Sequence, residues 1–278
     1  MENTFDKEAY KAKKKEELDQ AYDYLNEATN EIKGSVDSYV KYLDVQSHFD
    51  RYSVSNALLV FKQCPDAVQL KPFDVWKGQN VAVNKGEKGI SLLEPRKFTG
   101  KDGTEKTAYG VRKLFDRTQT SATSFRRGEF KCENPKNLLV ALVKEPPCQV
   151  EPVSTMDGES LALYSRGNNK IYVKRGLEAE VFFKEVTHEL AHAMLAKDNP
   201  AYKRENYEEK AKAISYLLGR KYGMTAEAPK NVPEEWESMT EKEVRADLNT
   251  VRNAYSRLHE SIYAALEKMK AKEEREER

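Results

Sequence analysis

The chain has 278 residues, 33% of them charged and 39% hydrophobic, which is enough for two modest cores or for one core with long additions. With 47 Lys/Arg against 46 Asp/Glu the formal net charge is +1, so overall charge neither requires nor excludes a polyanionic partner. No apolar run approaches a membrane span and MENTFDKEAYKAKKKEE lacks a signal-peptide core, so a soluble, cytoplasmic protein with no membrane partner is expected.

Helix formers with apolar residues at helical spacing run from Phe5 to about Tyr42, and a second helical segment runs through Tyr52 to Lys62 until Pro65 stops it. From Leu70 to Phe115 the period shortens toward that of strands: VAVNKGEKGISLLEP, a hairpin through Lys97 to Lys106, then TAYGVRKLFD. A turn-rich link from Thr118 to Pro152 carries one possible helix at Asn134 to Val143. Two short strands follow, SLALYS and KIYVKR, with a turn at GNN between them. Helices are then expected over Leu177–Ala196, Glu205–Tyr222 and Glu241 to about Glu273, with Pro229 and Pro233 before the last. The class is α+β in two domains. Cys64, Cys132 and Cys148 have no C-x-x-C spacing and read as ordinary thiols in a reducing compartment.

Charge is unevenly distributed. Residues 51–130 hold 15 Lys/Arg and 8 Asp/Glu, a local +7, and the remainder carries −6. Lys71, Lys77, Lys85, Lys88, Arg96, Lys97, Arg112, Lys113 and Arg117 lie near Phe73, Trp76, Phe98, Tyr109 and Phe115. That composition suits a surface that tracks a phosphate backbone while aromatics stack on bases, and it equally suits an aromatic core under a solvated basic face. Lys85-Gly86-Glu87-Lys88-Gly89 reads as a turn, too short for a nucleotide phosphate loop.

The stretch FFKEVTHELAHAMLA contains His188, Glu189 and His192 in H-E-x-x-H spacing. On a helix the two histidines share a face one turn apart and can approach one ion, while Glu189 lies roughly 100° round, able to reach a water on that ion without ligating it. Val181, Phe182, Val186, Leu190 and Ala193 give the helix an apolar side. A catalytic zinc needs a third protein ligand and an open position. On the next helix Glu208 precedes the buried stripe Ala211, Ile214, Leu217 and Leu218 by one turn, making it the expected third ligand, with Glu209 and Glu205 as alternatives. Zn2+ would activate a water, Glu189 would act as general base, and Tyr172, Tyr202 or Tyr207 would supply an oxyanion donor.

This order of strands, HELAH helix and Glu208-x-x-Ala211 resembles the ImmA/IrrE-type zinc metallopeptidases, which implies a zincin-like domain with a gluzincin-type site and a regulatory or antirestriction role. The first part carries a longer resemblance. Tyr52-Ser-Val-Ser-Asn-Ala-Leu-Leu-Val60, Gln63-Cys-Pro-Asp-Ala67, Phe73 to Trp76, Lys85-Gly-Glu-Lys-Gly-Ile90, Pro95 and Phe115-Asp-Arg-Thr-Gln-Thr120 are similar to the N-terminal single-stranded-DNA-binding domain of ArdC-type antirestriction proteins of plasmids and conjugative transposons. The arginine usual before the KGE turn is absent. The resemblance implies DNA contacts at Lys71, Trp76, Lys77, Lys85, Lys88, Arg96, Lys97, Arg112, Lys113 and Arg117. It also implies a DNA-binding domain at 1–130, a linker at 131–152 and a metallopeptidase domain with a C-terminal helical extension at 153–278. The expected protein is a monomer that binds single-stranded DNA and acts on an unidentified protein substrate, or a non-catalytic, zinc-stapled protector of transferred DNA.

Overall fold

In a computed structural model of the chain, which describes residues 6–100, 102–122, 134–144 and 147–276, the long N-terminal helix expected from periodicity is broken at Ser35. Helix α1 (Lys7–Gly34) starts where the Asp6 carboxylate accepts the Glu8 and Ala9 N–H groups, both at 3.0 Å, and buries Ala21, Leu25, Ala28 and Ile32 on one stripe. Gly34 is a poor helix former, and extended Ser35 turns its hydroxyl to the Ser38 N–H, so a new helix, α2 (Val36–His48), begins there. The chain groups into two units: Met1–Val45 with Arg51–Gly128, and Gln46–Asp50 with Glu129–Arg278. The class is α+β, as expected.

In the first unit, α3 (Val54–Gln63) packs on α1 and on a long antiparallel ribbon made of β2 (Ile90–Thr99) and β3 (Glu105–Asp116). A two-residue strand, β1 (Leu70–Lys71), pairs with the other edge of β3, giving the order β1-β3-β2. The base of the ribbon is buried, whereas Pro95–Thr99 of β2 and Glu105–Tyr109 of β3 are exposed. Two amides cover the free edge of β2. Asn56 accepts from Leu93 N (2.8 Å) and donates to Leu93 O (3.0 Å), and Gln63 does the same with Ser91 (2.8 and 3.0 Å). Seven residues apart on α3, they meet alternate residues of the strand and mimic the peptide groups of a missing neighbour. A short helix, α4 (Phe73–Gly78), stands where strand character was expected, and the VAV segment, in place of a strand, contributes the isolated bridge Val83–Thr120.

The second unit opens with α5 (Pro135–Lys144), which buries Leu138, Ala141 and Leu142 within the expected linker. Strands β4 (Gln149–Val153), β5 (Ala162–Ser165) and β6 (Lys170–Lys174) form a sheet of order β4-β6-β5. The β5–β6 hairpin is the expected one, with Asn169 left-handed at φ 48 in its turn; β4 runs parallel to β6 on the opposite edge. Helix α6 (Ala179–Ala196) lies against β5 and β6 and packs on α5, α7 (Glu208–Tyr222) and α8 (Glu241–Glu276). Thr187 and Ser215 share a buried hydrogen bond of 2.7 Å between α6 and α7. Gly223 at φ 64 ends α7, a conformation that costs glycine little. Asp50 belongs to this unit, where it accepts the Lys221 ammonium at 2.7 Å beside His259. Cys132 lies outside the described residues; Cys64 is half-buried and Cys148 buried. No described helix is long and apolar enough to cross a membrane.

Candidate functional site

The core side of α6 is built from Phe183, Val186, Leu190, Ala191 and Ala193, while Val181 and Phe182 are only half-buried. This packing turns His188 and His192 toward the first turn of α7. His192 is fully buried and His188 is 19% exposed. Their Nε2 atoms are 3.2 Å apart, Glu208 Oε2 is 3.1 Å from His192 Nε2, and Glu208 Oε1 is 3.4 Å from His188 Nε2. Of the three carboxylates considered, Glu208 is the one the fold brings to the imidazoles. Glu209 binds Lys212 at 2.8 Å, and Glu205 is exposed on the 3-10 turn Arg204–Tyr207.

This group fits a divalent ion. Three donors held at roughly 2.1 Å around one tetrahedral ion lie about 3.4 Å from each other, close to the separations found. Burial pushes the His192 pKa down despite the pull of Glu208, favouring the neutral imidazole whose lone pair a metal needs. Hydrogen bonds from His188 and then His192 hold the Glu208 carboxyl far below the usual range, so it stays ionised. The Tyr202 hydroxyl lies 2.8 Å from His192 Nδ1, and burial pushes its pKa up to about 12. With the imidazole proton on Nδ1, this neutral phenol would accept it and leave Nε2 free to ligate.

Glu189 lies 3% exposed with both oxygens occupied. Its Oε2 accepts from Tyr164 N at 2.6 Å and from Arg204 Nη1 at 2.8 Å, and its Oε1 accepts from Arg204 Nη2 at 2.6 Å. Arg204 carried no visible signal in the sequence: in the charged run RENYEEK it reads as a solvated cation, and its partner is fifteen residues away. Of the three tyrosines expected as oxyanion donors, Tyr202 lies against His192 Nδ1, while Tyr172 accepts from Asn168 and Tyr207 from Asn199, which leaves the O–H of these last two able to donate. A cavity of about 260 Å³ opens beside His188, lined by Lys184, Lys212, Lys230, Glu185, Glu227 and Ser215.

In the first unit the expected DNA contacts do not form one face. Trp76 is a correction: it is 2% exposed, its indole N–H donates to Phe115 O at 2.9 Å, and Lys71 covers its ring at 4.5 Å, so it is core and offers no stacking surface. Lys71 also donates to Gln79 at 2.8 Å. Lys77, Lys85 and Lys88 are exposed on α4 and the turn that follows, while Arg117 is half-buried. The pleat places Arg96 and Arg112 with Glu94 on one side of the ribbon, where both arginines approach that carboxylate, and Lys97 and Lys113 on the other. Phe73, Phe98 and Tyr109 are each about half-exposed.

No protein-family model and no curated protein matches the chain by sequence. Solved structures do match. The antirestriction ArdC protein from plasmid R388 in its metal-free form aligns with a TM-score of 0.60 at 14% identity, covering 86% of this chain and 98% of that one. Its Mn(II)-bound form aligns at 0.56 and 14% identity, covering 88% and 97%. At this identity the likeness concerns architecture, and the chain has the α+β fold of the ArdC protein from R388.

Proposed function

We propose that the chain is an ArdC-type antirestriction or accessory protein of a mobile element, acting in the cytoplasm. Its first unit would bind single-stranded DNA, and its second would carry a zincin-like, metal-dependent peptidase site. The observation that carries this reading is the convergence of His188, His192 and Glu208 within one ligand shell, next to Glu189 on the same helix. Zinc is the first ion to test, since two imidazoles and a carboxylate suit it, and Mn(II) is the second, since the R388 protein has been solved with it. When bound, the ion would polarise a peptide carbonyl and acidify a water. The chain's own part is to hold His192 in its ligating tautomer through Tyr202, to keep Glu208 ionised, and to offer Glu189 as acceptor of the water's proton and its donor to the leaving amine.

Metal content of untagged protein tests the site: about one ion per chain, lost in H188A and E208A and retained in E209A. Equal metal in all four proteins would remove the assignment. E189Q should retain the ion and lose cleavage. Binding of DNA is tested with a labelled single-stranded oligonucleotide across a salt series, where neutralising four phosphates gives a slope of roughly −3 in log K against log salt. Exposed Phe73, Phe98 and Tyr109 support stacking on bases, so duplex of the same sequence should bind less well.

One observation favours a second reading. A Glu189 carboxylate paired with Arg204 is what a purely structural metal site would tolerate, in a protein that covers DNA without cleaving anything.

A further inference from the structure

Glu189 would have to take a proton as general base, yet three donors already hold its two oxygens, leaving one lone pair on Oε1, and two of the three hydrogen bonds come from a cationic guanidinium. The three are not alike. The Tyr164 N–H is backbone, fixed in β5, whereas Arg204 is a side chain on a 3-10 turn, 37% exposed, and its two hydrogen bonds form the planar fork that guanidinium makes with carboxylates. Only Arg204 can leave without dismantling the sheet.

We infer that Arg204 is a displaceable occupant of Glu189, and that the substrate is a peptide carrying a carboxylate of its own near the scissile bond, which draws Arg204 away. The inference rests on the peptidase reading of the second unit. Its logic is partner exchange. Arg204 is half-buried, and breaking such a pair without replacement strands two charges in a poorly solvated place. A neutral peptide offers no compensation. An anionic one gives the guanidinium an equivalent carboxylate and leaves Glu189 with the single Tyr164 hydrogen bond. Glu208, a second carboxylate near Arg204, is already held by the imidazoles. Arg204 transfers no proton in this scheme. In the hydrolysis itself the water oxygen bonds to the carbonyl carbon, one water proton passes to Glu189, the C–N bond breaks, and that proton goes to the amine. Arg204 is thus a gating residue, and it makes an acidic substrate the condition for a working base.

The test is a binding experiment on the full-length chain loaded with zinc, using three capped pentapeptides. One is acetyl-Ala-Ala-Glu-Ala-Ala-amide, the second replaces Glu by Gln, and the third is the Gln peptide with a free C-terminal carboxylate. Affinity is read by titration calorimetry, and the state of Arg204 by its guanidinium signal in 15N-arginine-labelled protein, assigned by its absence in R204K. At least one carboxylate peptide should bind tenfold or more tighter than the neutral one and shift the Arg204 signal; which of the two does so separates a side-chain from a C-terminal carboxylate. R204M should abolish the discrimination, and R204K should restore part of it. E189Q, by removing the competing charge, should tighten the carboxylate peptide severalfold further. Equal binding of all three peptides, no binding of any at millimolar concentration, discrimination that survives R204M, or an unchanged affinity in E189Q would each overturn the inference. Cleavage enters none of these readouts, so a failed peptidase reading shows separately, as absence of hydrolysis by wild-type protein.

Discussion

The two units use the polar residues of their motifs in opposite ways. In the first, Asn56, Gln63, Asp116 and Gln119 each end on backbone: the amides on β2, the fully buried Asp116 on Val68 N, Gln69 N and Thr118 N, and Gln119 on Asp116 N and Lys88 O. In the second, His188, His192 and Glu208 end on one another, their ligand atoms 3.1 to 3.4 Å apart. Side chains that complete the backbone's hydrogen bonds specify a fold, whereas ligand-type side chains that converge on one another leave a place for a guest.

The contrast breaks if Asp116 is dispensable. D116A leaves the buried Val68 N–H, the part-buried N–H groups of Gln69 and Thr118 and the Thr118 hydroxyl without their acceptor and should cost about 3 kcal/mol in urea unfolding, with metal content per folded chain unchanged. A sharper probe is Y202F, which should weaken metal binding about 10–100-fold by freeing the His192 tautomer, while the metal-free protein unfolds within about 1 kcal/mol of wild type. Normal metal affinity there would mean that Tyr202 only packs. The smallest effect concerns His259, whose Nδ1 meets the Tyr222 hydroxyl at 2.8 Å. Burial, and Lys221 beside it, push its pKa below the usual histidine range. The folded chain therefore resists a proton that the unfolded chain takes up near pH 6.5, so the stabilisation is complete above that pH and is lost as pH falls below it. Between pH 7.5 and 5.5 wild-type protein should lose more unfolding free energy than H259Q, and parallel profiles would assign the acid sensitivity elsewhere.

How legible these features were depended on their length and on the distance to their partners. The α6 and α8 helices were readable because their apolar periodicity runs for many turns, and the β5–β6 hairpin because a GNN turn separates two β-rich runs. Helix α4 escaped because FDVWKG is shorter than any window in which 3.6-residue spacing differs from alternation. Strand β4 escaped because QVEPV neither alternates nor forms a long apolar run; it tolerates Pro152 because it lies on an edge. The histidine pair follows from helix geometry alone, and Glu208 from its place on a packed stripe. Arg204 and Tyr202 belong to the loop and turn between α6 and α7, where no periodicity tells an inward side chain from a solvated one.

The expected domains were consecutive stretches, 1–130 and 153–278, yet the second unit also claims residues 46–50. A gene fragment that starts after the first unit would therefore encode a truncated version of the second. It would lack Asp50, and Lys221 and His259 would be left as neighbouring bases without the acid between them. Recombination that joins such fragments at the obvious boundary would produce a weakened protein, and a crossover upstream of residue 46 would carry the whole unit intact. The five-residue claim thus ties two structural units that could otherwise be shuffled separately into one inherited block.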